Sequence, residues 1–518
     1  MTIASLLLSV RDNVFRNLSR SFLASLILAP LICILINEVI RYNARIGKLK
    51  GPLGLPVIGN IWDIRVNAAE KYREWAKQFG DVYQIQLGNV PVVVVNSASA
   101  ARSLLTKSSF SSRPEFYTFH KVVSDTAGTT IGTSPYSDSL KRRRKGAASA
   151  LNKPSIQTYI PHLDIETRGF IQELYDFGGA GRKPVDPMPM IQRLSLSLGL
   201  TLNWGTRLKS QKDNLFDEVT HVEEEISRFR STTGNIQDYI PLLRLNPINK
   251  HSAKAREMRQ RRDTYLAALN NGLDESIANG SYKPCIQANV ILDKENKLNK
   301  EELTSISLTM LSGGLDTVTT LVAWVLALLA QHPEIQDKAL SEIRKFYSDK
   351  EPMCRADDDQ KCEYVVALVR ESLRYFTVLR LALPRVSVQD VVYEGIVIPK
   401  GTVVFLNAWA CNMDPKVWSD PDIFRPERWL EQPDAPFFAY GIGYRMCAGS
   451  LLANRELYLL FMRLINSFRI ERYDDIDCHP VYGNADPTSL VAMPKRYKAR
   501  FIPRNDPILR NELEVQLE

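Results

Sequence analysis

From about residue 140 to residue 350 most segments repeat their apolar residues at helical spacing, and strand-like runs occur only outside that block. A chain with this pattern has to bury helical stripes against one another, which makes it mainly α. Before the block, residues 82–96 (VYQIQLGNVPVVVVN) are valine-rich and alternate at first, so they predict a β-hairpin. Residues 112–139 carry many Ser, Thr and Gly and predict a loop. After the block, residues 386–406 return to short strands: Val391–Tyr393, a Glu-Gly turn, Ile396–Ile398 and a Pro-Lys-Gly turn. A last helix is predicted over about 448–466. A length of 518 residues by itself suggests two or three domains. No repeat and no clean linker divides the chain, so the expectation is a large helical domain with a small β-rich domain.

The N-terminal region adds a second constraint. Residues 22–40 (FLASLILAPLICILINEVI) are apolar apart from Asn37 and Glu38, and about 20 such residues cross a bilayer. Arg41, Arg45, Lys48 and Lys50 follow the run while Arg11, Arg16 and Arg20 precede it, a weak vote for a cytosolic body. A cleaved signal peptide competes, but the run is longer than a usual signal core and no small-residue cleavage site follows it. The predicted order is a leader (1–21), a transmembrane anchor (22–40), a stiff Pro/Gly hinge (41–60, containing Pro52, Gly54 and Pro56) and a catalytic domain (61–518).

Composition mainly excludes. The net charge of +8 is mild for this length, and 45% hydrophobic with 24% charged residues is ordinary for a globular protein. Lys141-Arg142-Arg143-Arg144-Lys145 is the one strong basic run; it reads as a solvated helix face, and no aromatic interleaving points to nucleic acid. The seven cysteines are scattered and form no C-x-x-C pair, which argues against a disulfide framework or a zinc site and fits a reducing compartment.

The chemistry concentrates in a few places. Tyr440-Gly441-Ile442-Gly443-Tyr444-Arg445-Met446-Cys447-Ala448-Gly449 crowds glycines and an arginine around one thiol, just before the last helix. Such density of glycine means a tight turn or a bulky neighbour. Arg445, two residues before Cys447, is expected to favour the thiolate. The cysteine reads either as a small buried hydrophobe or as an axial ligand for haem iron. In the apolar helical stretch, Gly313 and Gly314 cost roughly 1 kcal/mol each relative to alanine and strip one face of side chains, so that a flat ligand can approach. Asp316 and Thr317, one turn on, form an acid–alcohol pair suited to proton relay where a weakened helix opens to water. Glu371 and Arg374 share a helical face, and Arg428 could complete a buried triad with them.

These motifs, in this order and over nearly the whole chain, resemble the cytochrome P-450 family of haem-thiolate monooxygenases. The resemblance implies haem b (iron protoporphyrin IX) ligated by Cys447, with Tyr440 shielding the sulfur and Gly443, Gly313 and Gly314 making room. Amides of the loop after Tyr440 would hydrogen-bond the sulfur. It implies Arg144, Arg385 and Arg445 on the haem propionates, Glu371–Arg374–Arg428 as a structural triad, and Asp316 with Thr317 as proton donors to bound dioxygen. Departures are Tyr440 where Phe is usual, Val318 after Thr317, and Leu140 where a tryptophan usually precedes the propionate arginine. The latter loosens the assignment of Arg144.

With no nucleotide-binding fingerprint and no iron–sulfur cysteine set, electrons have to come from outside. The resemblance implies NADPH–cytochrome reductase, with cytochrome b5 as a second donor, on an endoplasmic reticulum membrane with a single-pass anchor and a cytosolic catalytic domain. The segments CAGSLLANRELYLLFMRLI and RYFTVLRLALPR resemble the fungal phenylacetate hydroxylase group, which implies aromatic hydroxylation of an arylacetate. Arg380, among Val378, Leu379 and Leu381, would then anchor the substrate carboxylate, with Leu379 and Met310 as apolar walls. Competing readings are hydroxylation of a neutral cresol or benzyl alcohol, a haem-thiolate isomerase or dehydratase, and a haem protein without turnover. The Asp316–Thr317 pair argues against the isomerase.

Overall fold

The computed structural model describes residues 28–124, 130–246, 248–293 and 298–514. The expected leader (1–21) and residues 22–27 of the expected anchor lie outside the described residues.

Helices dominate, as the spacing predicts. The helices that build the site are α1 (Asp138–Ala150), α2 (Asn214–Phe229), α3 (Lys250–Ala278), α4 (Lys300–Gln331), α5 (Glu363–Phe376) and α6 (Ser450–Ser467). Helix α4 is the spine. Its start is fixed by a capping box, in which the Asn299 side chain accepts from the Glu302 amide and the Glu302 carboxylate accepts from the Asn299 amide. From Val318 to Ala330 every residue is buried, so the helix is apolar all round because protein surrounds it. Its length and hydropathy would also suit a membrane span, but it packs on Met188–Trp204, α5 and α6 as the core helix.

The two strand-rich regions join. β1 (Val82–Leu87) pairs antiparallel with β2 (Val90–Val95), and β2 pairs in parallel with β6 (Val403–Leu406), which in turn pairs with β3 (Arg385–Val386). β4 (Val391–Tyr393) and β5 (Ile396–Ile398) form a separate hairpin. Its turn residues Glu394 and Gly395 both have positive φ, 48° and 77°, the primed turn that a two-residue hairpin loop needs.

One expectation is corrected here. Residues 112–139 are not all loop: Tyr117–Val123 forms a π-helical turn. The Asp238 carboxylate accepts from both the amide and the hydroxyl of Thr118, each at 2.7 Å. Phe119, Val122 and Val123 pack into the cluster that holds Phe229 and Leu311. Tertiary contacts impose order on a segment whose composition suggests none.

Residues 28–43 are helical, and Leu28, Leu31, Leu35, Ile36, Val39 and Ile40 on it are exposed. The helix end is tied to the body: Glu38 accepts from Arg41 and from the Val57 amide, and Arg41 donates to Gln86 at 3.0 Å. The end of the apolar helix is thus tied both to β1, through Gln86, and to the Pro/Gly segment, through Val57.

Candidate active site

The cysteine loop is shaped by its backbone. The Cys447 amide donates to Tyr440 O and the Met446 amide to Gly443 O, both at 2.9 Å. Gly443 has φ +64°, and a Cβ there would lie 2.5 Å from Leu105 O and 2.9 Å from Thr106 Cα, so only glycine fits. Tyr440 stacks edge-on against Phe437 and its hydroxyl donates to Asn454 Oδ1 on α6 at 2.9 Å. Cys447 itself is solvent-accessible while protein crowds around it. A side chain with both properties lies on the wall of a recess.

Burial pushes the Cys447 thiol up, while the Gly449 amide and Arg144 pull it down. Sequence spacing names Arg445 as the cation that favours the thiolate. The structure corrects this: the Arg445 guanidinium turns away and donates to Ser111 O (2.8 Å), Ser134 O (3.1 Å), Ile131 O (2.9 Å) and Gly132 O (3.2 Å). Arg144, on the next wall, supplies the charge. The Gly449 amide acts on the sulfur as the loop amides were expected to.

The basic run on α1 divides. Lys141, Arg142 and Lys145 are exposed, with Arg142 paired to Glu302 at 2.6 Å. Arg143 is buried and donates to Ser134 and Ser305, and Arg144 turns inward, stacking at 5.4 Å on Tyr444. The run is therefore only in part a solvated face.

Arg144, Arg385 and Arg445 come together, and a fourth arginine, Arg113, joins them. Its guanidinium donates to the carbonyls of Gly132 (2.9 Å), Leu383 and Pro384 (2.7 Å). Burial is the main cause that lowers all four, and each is lowered further by others in the set, except Arg144; Arg445 falls to about 9 and Arg385 to about 10. Among the described residues none of the four has an ion pair, and Arg445 Nε is buried without a partner. A buried cluster of cations with no anion is unstable unless a ligand brings negative charge. Sequence reading missed Arg113 because Phe110-Ser-Ser-Arg113-Pro114 lies in a Ser-rich stretch; only the long-range contacts with Pro384 and Gly132 reveal it.

Opposite features come from α4. A Cβ on Gly313 or Gly314 would meet nothing within 4 Å, so these glycines face open space. The helix does not open there: Thr317 Oγ1 donates back to Gly313 O at 2.7 Å and α4 continues unbroken. The expected water-filled break is replaced by a side-chain bond to the backbone. Ile306 and Met310 of α4 share an apolar cluster with Leu140 of α1, Ala448, and Leu452 of α6, which brings the glycine helix against the cysteine loop. Asp316 is raised to about 7, first by burial and then by Glu223 and Glu224, with Arg230 and the Ser227 hydroxyl opposing.

Glu371, Arg374 and Arg428 meet as a triad. Glu371 accepts from Arg374 Nε and Nη2, both at 2.8 Å, from Arg428 Nε at 3.1 Å, from the Arg425 amide at 2.8 Å and from Trp429 Nε1 at 3.0 Å. Arg380 is not on the apolar wall with Leu379. It is 7% exposed, lies 4.9 Å from the Trp409 ring and donates to Pro480 O. Leu379, the adjacent residue, is half-buried. Leu379–Ala382 is a tight turn, closed by the Ala382 amide on Leu379 O at 3.0 Å, and Arg380 leaves it toward Trp409.

A thiol recess, an anion-seeking arginine cluster and a side-chain-free helix face define a haem-thiolate protein. The cytochrome P-450 family profile matches residues 49–501, and the chain belongs to that family of monooxygenases. It is 66% identical to the 3-hydroxyphenylacetate 6-hydroxylase of Emericella nidulans over 98% of both chains. It is also 43% identical to the phenylacetate 2-hydroxylase of the same organism, over 91% of this chain and 94% of that one. A cytochrome P-450 monooxygenase of Mycosarcoma maydis is 38% identical over 95% and 94%. Membership implies haem iron and a reductase as electron donor.

Proposed function

We propose that this enzyme hydroxylates the ring of a small arylacetate next to the carbon that bears the acetate arm. The observation that carries this reading is the 66% identity, over 98% of both chains, to a 3-hydroxyphenylacetate 6-hydroxylase. Phenylacetate 2-hydroxylase supports it, since positions 2 and 6 both flank the substituted carbon. The test is a spin-state titration of the ferric protein with 3-hydroxyphenylacetate, phenylacetate and m-cresol, followed by product analysis with a reductase and NADPH. Conversion to high spin by the arylacetates and a ring-hydroxylated product support the proposal. A response to m-cresol alone refutes it.

The residues fit haem. Cys447 would ligate its iron; Arg113, Arg144, Arg385 and Arg445 would hold its two carboxylates; Gly313 and Gly314 would leave it room. When bound, haem would supply dioxygen activation with electrons from NADPH–cytochrome reductase or cytochrome b5, one oxygen atom entering the substrate and the other leaving as water. Residues 22–40 anchor the chain in the endoplasmic reticulum membrane, with the catalytic body in the cytosol and exposed Lys141 and Lys145 available to an acidic partner. If Arg113 holds a propionate, Arg113→Leu gives lower haem content and roughly tenfold faster haem transfer to an acceptor globin, the loss of one charge-assisted bond.

Asp316 and Thr317 move the protons. Asp316, raised to about 7, is protonated and able to donate below that pH and is a carboxylate above it. Turnover is therefore expected to fall as pH rises through about 7. Asp316→Asn should lower turnover roughly 10²-fold and flatten that limb. The stability consequence has the same sign. A carboxyl raised in the folded state contributes stability that is full below its unfolded value and lost as pH rises through about 7, and Asp316→Asn removes that slope. Parallel pH profiles of wild type and variant would count against the role.

A further inference from the structure

We infer that Arg230, at the end of α2, receives the substrate carboxylate and so sets the choice of an arylacetate over a neutral arene. This rests on the arylacetate reading above and names the residue that enforces it.

The Arg230 side chain is 11% exposed. Among the described residues its guanidinium makes no hydrogen bond, and Nε is buried without a partner. The acid it approaches, Glu223, is 3.9 Å away, beyond hydrogen-bond reach. Each Glu223 oxygen is already taken: Oε1 accepts from the Tyr265 hydroxyl of α3 at 2.6 Å and Oε2 from the Ser312 hydroxyl of α4 at 2.5 Å. Arg230 Nε is buried without an acceptor and Nη2 has only this long ion pair to Glu223, which leaves donors for a ligand, and a bidentate carboxylate would satisfy them.

Its surroundings suit an arene. The cation lies 5.2 Å from the Phe119 ring centroid. It lines a cavity with Phe116, Phe119, Phe229 and Leu383, and with Arg113, His120 and Asp238, the last already accepting from Thr118. Its field reaches Asp316, three residues beyond Gly313 and hence on the same side of α4 as the open glycine face. A short arylacetate with its carboxylate at Arg230 would keep its ring between the phenylalanines and that face. Arg380 also has a buried Nε and Nη1 without partners, and Arg113 lines the same cavity as Arg230, but both are placed differently. Arg113, Arg385 and Arg445 donate to backbone carbonyls in the cation cluster. Arg380 opens onto a different cavity, with Ala68, Thr232 and Asn484 but no aromatic ring.

The test is a spin-state titration of the full-length ferric holoenzyme with phenylacetate and its neutral counterpart phenylacetamide. Wild type is expected to bind phenylacetate more tightly. Arg230→Gln should weaken phenylacetate at least about tenfold and leave phenylacetamide within about twofold. Arg230→Lys, which keeps the charge, should recover part of the preference, and Arg380→Leu should leave it unchanged. The resting ferric state is read, so proton delivery through Asp316 does not enter. Wild type that binds both ligands equally overturns the anchor without any variant. Equal weakening of both by Arg230→Gln, or none, also overturns it and leaves arylacetate hydroxylation standing. Wild type that responds to m-cresol and to neither test ligand nor 3-hydroxyphenylacetate overturns both readings.

Discussion

Replacing Cys447 with serine is expected to cut turnover below about 1% of wild type, a loss of at least about 2.7 kcal/mol of transition-state stabilisation. The protein should stay folded. The loop is held by the Cys447 amide on Tyr440 O, by the Met446 amide on Gly443 O and by the contact of Gly443 with Leu105, none of which uses the sulfur. The side chain is accessible and belongs to none of the apolar clusters. Its removal should therefore change unfolding stability by no more than about 0.5 kcal/mol. What disappears is the thiolate. A serine hydroxyl does not ionise near neutrality and cannot push electron density onto iron as sulfur does. The measurement is the carbon monoxide difference spectrum of the reduced protein alongside turnover. Loss of the red-shifted band of thiolate ligation with an unchanged denaturation midpoint is the expected pair. A retained band would remove Cys447 from the role of ligand.

The largest effect on stability is expected from Glu371→Ala. Glu371 is fully buried and accepts from two guanidiniums, one backbone amide and one indole. Its removal leaves Arg374 and Arg428, 0% and 2% exposed, without their counter-charge. Breaking a buried pair from one side costs about 3–5 kcal/mol. Whole domains are stable by only about 5–15 kcal/mol, so the variant should accumulate poorly and unfold at clearly lower denaturant. Arg374 also donates to Asn412 O (3.0 Å) and Pro421 O (2.9 Å), and Arg428 to Ser419 O (3.0 Å) and Ile423 O (2.8 Å). The triad therefore clamps the 412–428 segment to α5. Coupling between the residues separates this from simple loss of packing: Glu371→Ala with Arg428→Ala should cost less than the sum of the two single changes. Strict additivity would show that the three side chains do not act as a unit.

Much of this molecule was legible in its residues, and the reason is local. Apolar spacing along 140–350 makes helices wherever that stretch is placed, and valine-rich 82–96 makes a hairpin. Glu371 and Arg374, three apart, have to share a face. The glycines of 441–449 announce a tight turn, and five motifs in order announce haem. Residues 112–139 were misread because Asp238, more than 100 residues on, orders Tyr117–Val123. Arg445 was assigned to the thiol by spacing alone, although the field at Cys447 comes from Arg144, some 300 residues earlier.

By itself, then, the sequence determined the helical fold class and the shared face of Glu371 and Arg374, which depend on backbone preference and short spacing; the thiol and Arg428, 57 residues from Glu371, were named by the resemblance to the family's motifs. Only the tertiary structure decided where the long cationic side chains go. A guanidinium at the end of a flexible stem reaches several ångströms in any direction, and its destination is set by the acceptors that remote segments present. That is why Arg113 joined the cation cluster, Arg380 left the substrate wall for Trp409, and Arg230 kept only a long ion pair to Glu223 beside Phe119.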